Sequence, residues 1–212
     1  MGMMLRLARR AGCLLVATAL VGGAARADYS ISNNLAAASG GTEAATGATY
    51  LAASFGSGAG GQLAAVTLKV GATAGSVAEL DLYADDGLNE PGAAIGRLTL
   101  AGTVGATPAA VTCTATGITL AANANYWVVL KALGGTFNWS YTAASSGVGT
   151  GAGYQNTWGS SDDAGASWFT YTSYPTQMDV ALAGSAAVPE PGSLTLWGIA
   201  LVVGGGIYRR RR

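Results

Sequence analysis

The sequence predicts an all-β protein, a jelly-roll-like β-sandwich, with one helix before it and one after it. Three observations point that way. Residues 28–187 show no helical periodicity of useful length, while short apolar or alternating runs recur throughout. Gly, Ser, Thr, Asn and Asp separate those runs, the pattern of many short strands joined by turns. Each end of the chain carries one apolar run flanked by arginines. A length of 212 residues suits one domain plus short appendages.

The candidate strands, in order, are 62–70, 77–84, 95–100, 111–120, 126–130, 137–141, 168–172 and 178–183. The first alternates Leu63, Ala65, Thr67 and Lys69 with Ala64, Val66, Leu68 and Val70, so one face is largely apolar. Asp85-Asp86-Gly87 and Asn89-Glu90-Pro91-Gly92 supply turn chemistry between strands. Gly accounts for 33 residues, and much of the 50% hydrophobic content is alanine, so the core is a lean one.

Residues 1–27 read as a secretory signal peptide. Arg6, Arg9 and Arg10 precede an apolar run from Ala11 to Val21, and Ala25-Arg26-Ala27 fits a small-x-small cleavage site that leaves Asp28 first. The far end is tripartite. Pro189-Glu190-Pro191 is followed by an apolar stretch, 194–208, and then by Arg209, Arg210, Arg211 and Arg212. As a helix that stretch is about 22 Å long, short of a hydrocarbon core of ~30 Å. Snorkelling of Arg209 and thinning of the bilayer close the gap. The arginines hold the tail in the cytoplasm, which puts the domain on the other side of the membrane. Two prolines two residues apart cannot continue a helix, so the motif is expected to be extended and open to a protease.

Charge excludes one large class of partner. All eleven acids, but only three of the eleven bases, lie between Asp28 and Glu190, a net charge of −8. Such a domain repels phosphate backbones, so no nucleic acid is expected. The chain has no histidine, which excludes a Ser-His-Asp or Cys-His machine and His-ligated metals. No cofactor pattern is present. Asp85, Asp86, Asn89 and Glu90 cluster oxygen ligands, but not at EF-hand spacing, so they read as a polar hairpin loop or a calcium site, and no metal site is assigned. Cys113 stands alone once Cys13 leaves with the signal peptide. It alternates with Val111 and Ala115, so burial is expected rather than an intermolecular link.

Aromatics crowd residues 139–174: Trp139, Tyr141, Tyr154, Trp158, Trp168, Tyr171 and Tyr174. They serve either a core or a sugar-stacking face. Tyr154 and Trp158 have the most Gly-rich surroundings and are the candidates for exposure and sugar binding. A glycosidase would need two paired carboxylates among Asp81, Asp85, Glu90, Asp162 and Asp179, about 5–9 Å apart in one cleft.

Three resemblances follow from these residues. Pro189-Glu190-Pro191, the short apolar stretch and the arginine cluster together resemble the PEP-CTERM sorting signal of Gram-negative bacteria, over about 25 residues. The resemblance implies recognition by an exosortase, processing near the motif, passage through the inner membrane with a transient or permanent anchor, and export to the cell surface or an exopolysaccharide biofilm matrix. Leu80–Gly92, with its LYADDGLNEPG turn, and Thr119–Leu130, reading TLAANANYWVVL, are similar to the choice-of-anchor R type of bacterial surface domain. That likeness spans most of residues 45–183 and implies no enzymatic activity. Ser161, Asp163, Gly165, Ser167 and Trp168 resemble the Asp-box, which in families that carry it is a hairpin turn usually away from the active site. Three regions are thus expected: 1–27, 28–187 and 188–212.

Overall fold

Pleating sends alternate side chains to opposite faces, and where alternation meets β-branched and aromatic residues the chain extends. The computed structural model describes residues 27–184, and every regular element among them is a strand. The expected signal segment up to Arg26 lies outside the described residues. So do the Pro-Glu-Pro motif, the apolar stretch and the arginines. No helix among the described residues is long and apolar enough to cross a membrane.

The strands are β1 (Tyr29–Asn33), β2 (Ser39–Thr46), β3 (Tyr50–Gly56), β4 (Gly61–Ala72), β5 (Val77–Asp85), β6 (Pro91–Leu100), β7 (Ala109–Thr114), β8 (Thr119–Leu120), β9 (Asn125–Gly134), β10 (Thr136–Thr142), β11 (Tyr154–Ser161), β12 (Phe169–Tyr171) and β13 (Met178–Leu182). All pairings between them are antiparallel. They follow one path, β1-β13-β4-β7-β6-β5-β9-β3-β11-β12, with β10 joining β2 to β4 and β8 pairing β4.

Two strands organise this path. β4 is the longest and pairs with β13, β7, β8 and β10. β9 lies between β5 and β3 and is covered on both faces. Its Tyr126, Val128, Leu130 and Ala132 enter the main core, while Trp127 and Val129 point the other way and are fully buried there. A strand enclosed on both sides reads as an unbroken apolar run, as Tyr126–Leu130 does.

The main core draws on strands far apart along the path. Phe55, Leu82 and Val128 from β3, β5 and β9 share it with Val66, Cys113, Trp139 and Val180 from β4, β7, β10 and β13. Two buried N–H groups find partners there. Trp139 Nε1 donates to the Gln177 carbonyl at 2.9 Å, and Gln177 Nε2 donates to the Ala37 carbonyl at 2.8 Å, which fastens the loop after β1.

The sequence expectations differ from this structure in two ways. The run 111–120 is two strands, because the chain turns at Gly117, whose φ of +70° ends the extended backbone. Four strands, β1, β2, β3 and β11, were not among those expected.

Candidate functional site

The aromatic-rich region builds one hairpin. β11 and β12 pair Trp158 with Tyr171, Gly159 with Thr170 and Ser160 with Phe169. The turn between them is organised by Asp163. Its Oδ1 accepts Ser167 N at 2.9 Å and Ser161 Oγ at 2.8 Å, and its Oδ2 accepts Ser167 Oγ at 2.6 Å. The Ser167 hydroxyl first, then the Ser167 amide and the Ser161 hydroxyl, draw the Asp163 carboxyl down to about 2. Ser161 Oγ also accepts Gly165 N at 2.8 Å, and Gly165 takes a φ of +89° that suits glycine. The turn is held to the chain before β3: Ala164 N donates to the Ala48 carbonyl at 2.8 Å, and Thr49 Oγ1 donates to Asp162 Oδ1 at 3.2 Å. Trp168 then lies with Tyr50 and Tyr83 over the second cluster of Ala52, Trp127 and Val129. The five residues of the Asp-box-like run thus form a turn whose tryptophan packs on the sheet.

At the other end of the hairpin lies a groove of about 440 Å³. It is lined by Gly40, Glu43, Tyr141, Ala143, Trp158 and Tyr174. Trp158 is half-buried, stacks on Tyr171 with ring centroids 4.7 Å apart, and donates its indole N–H to the Ser173 carbonyl at 2.8 Å. Tyr174 is about half exposed and meets Tyr141 edge-on at 6.4 Å. Its φ of +53° is rare for a bulky residue. The ring of Tyr141 lies over Gly41, where a Cβ would be 2.4 Å from the tyrosine oxygen. Aromatic faces beside one carboxylate, Glu43, can stack on a sugar ring and accept its hydroxyls.

Tyr154 is not part of this groove, which corrects the expectation that it would be exposed beside Trp158. Its ring is half-buried and its hydroxyl is buried. A Cβ on Gly149 would lie 2.0 Å from a Tyr154 ring carbon, so the glycines around Tyr154 admit backbone against the ring rather than open it to solvent. Glu43 is the groove residue that the sequence reading missed. It sits about 100 residues before the aromatic region, and only the β2–β10 pairing brings it there.

The remaining candidates do not line this groove. Asp81 is buried. Burial opposes its charge, but hydrogen bonds from Arg97 Nε at 2.9 Å and Lys131 Nζ at 2.6 Å outweigh it and hold the carboxyl below its usual range. Asp85 accepts Trp127 Nε1 and Gly87 N, and Asp86 accepts the Leu88 and Glu90 amides. Asp86 serves the loop itself, and Asp85 ties it to β9. Asp179 accepts the Ser30 hydroxyl. Among the described residues no three His, Cys, Asp or Glu side chains gather as a metal site would require. Cys113 is buried, and burial pushes its thiol up to about 11. Of the signal-cleavage residues only Ala27 is described, and it is exposed.

Compared with protein-family models, with curated proteins and with solved structures, the chain finds no match in any of the three.

Proposed function

We propose that this is an exported, non-enzymatic component of the cell surface or extracellular matrix, delivered as the substrate of an exosortase. One observation carries the reading: Pro189-Glu190-Pro191, a short apolar stretch and four arginines stand in that order at the C-terminus, opposite a signal-like N-terminus. In this reading Ala25 and Ala27 mark the signal cleavage, and the inner membrane holds the precursor by its tail while the domain stands outside the cytoplasm. The domain is a jelly-roll-like β-sandwich of the choice-of-anchor R type. A main core shared by strands from distant parts of the path supports the sandwich.

The test is the intact mass of the mature protein recovered from its native host. A mass ending near Pro189, with or without an added group, is the expected result. A mass running from Asp28 through Arg212 overturns the proposal.

The groove favours a second reading, a carbohydrate-binding module for matrix exopolysaccharide. Trp158, Tyr141 and Tyr174 offer ring faces and edges, and Glu43 an acceptor, in one open depression. Retention on immobilised exopolysaccharide that is lost with Trp158→Ala supports it. Equal retention of variant and parent removes it.

A further inference from the structure

Along the strand path, the pairing of β6 with β7 is short. β6 and β7 pair only through Thr99–Thr114 and Leu100–Cys113. Beside that junction lies a cavity of about 300 Å³. Leu68, Leu98, Val111, Cys113, Leu130 and Phe137 form its walls, and all but the half-buried Val111 are at most 3% exposed. Its rim is different. Val77 and Leu133 stand there 56% and 57% exposed, and Glu79 and Arg97 supply the charges of the lining.

We propose that this cavity takes the alkyl chain of a medium-chain fatty acid, with the carboxylate head at Arg97. The walls offer water no hydrogen-bond partner, and a cavity of about 150 Å³ lined by Leu, Ile and Phe already stays dry and takes up benzene. This cavity is twice that size, which suits a chain of roughly ten carbons. A peptide segment or a sugar would bring polar groups that these walls cannot satisfy. A hydrocarbon with one polar end meets both parts of the site, and the exposed apolar rim at Val77 and Leu133 continues its path outward.

Arg97 offers the head its unused donors. A guanidinium has five N–H donors. Here Nε serves Asp81, and Nη1 and Nη2 each give one bond to Glu79, at 2.6 and 2.5 Å. Two donors remain, on a side chain 59% exposed. The Glu79 oxygens are already engaged by Arg97, so a cationic head would have to compete for them.

The test is photolabelling of the full chain in lipid nanodiscs, with a decanoate that carries a diazirine near its last carbon. Labelling is expected to saturate, to be displaced by unlabelled decanoate, and to map to the walls on β4, β6, β7, β9 or β10. A decanol analogue, or Arg97→Met with the decanoate probe, should need about tenfold more probe for half-saturation, since each loses a charge-assisted pair. Leu98→Trp, which fills the cavity, should lower labelling at least about tenfold. Competition and mapping in the parent chain do not depend on how that variant folds. Labelling that does not saturate, or that maps away from these strands, overturns the proposal. Equal affinity for decanol and decanoate overturns the Arg97 assignment.

Discussion

Two tryptophans, on strands that flank β3 on either side, have opposite fates. Trp127 on β9 is fully buried, with its indole N–H on Asp85 at 2.9 Å and Tyr50, Tyr83 and Trp168 around its cluster. Trp158 on β11 satisfies its N–H on the backbone at Ser173 and stacks on Tyr171, yet still borders an open groove. Both polar handles are satisfied, so hydrogen bonding does not separate them. What separates them is the chain folded over Trp127 by the Asp163 turn. The same residue type is sealed in where the hairpin covers it and borders an open groove where the hairpin leaves off.

Trp127→Ala puts the contrast to its hardest test. Deleting a buried aromatic costs about 3–5 kcal/mol, so thermal unfolding should shift down by about 6–20 °C. A smaller shift would mean that the second cluster is not a second core. Trp168→Ala uncovers Trp127 without removing it. It should cost about 1–2 kcal/mol and move the tryptophan emission to longer wavelength. An unmoved emission would show that Tyr50 and Tyr83 suffice as cover. Trp158→Ala should cost less than Trp127→Ala in stability, and on the carbohydrate-binding proposal it should abolish exopolysaccharide retention. Tyr154→Phe should leave retention unchanged, because Tyr154 does not line the groove.

The smallest effect is on pH. The Asp163 carboxyl sits at about 2, below its usual range. A depressed carboxyl stabilises the folded state at pH values above its unfolded pKa of about 3.9. That contribution is lost as pH falls from about 4 through about 2. Denaturant midpoints of the parent and of Asp163→Asn, followed over this window, should converge as pH drops. A constant gap would mean that the Asp163 charge contributes nothing to the turn.

Sequence reading found the parts of this molecule that carry large side chains. Tyr126–Leu130 announces itself because five successive apolar residues fit a strand covered on both faces. β2, reading Ser-Gly-Gly-Thr-Glu-Ala-Ala-Thr, has one buried residue, Ala45, so no alternation marks it. It is a strand because β10 pairs with it along its whole length. β11 is equally quiet, polar along most of its length and extended by β3 and β12. The groove was half legible. Trp158 stood out by type, but Glu43 comes from a strand that sequence could not see. Tyr154 misled because glycine was read as openness, when at Gly149 it marks close contact.

The first strand of the domain pairs with its last: Tyr29 faces Leu182 and Asn33 faces Asp179. β13 in turn is the bridge by which β1 reaches β4. A chain emerging from its N-terminus therefore cannot finish this edge until nearly every residue has appeared. Until then β1 waits with its hydrogen bonds unmade, and β4 lacks a neighbour along Leu63–Leu68. Closing a loop of about 150 residues is a late and slow event in folding. Completion is thus timed by the arrival of β13, and a domain cut short before Met178 would keep two raw strand edges that invite pairing with other chains.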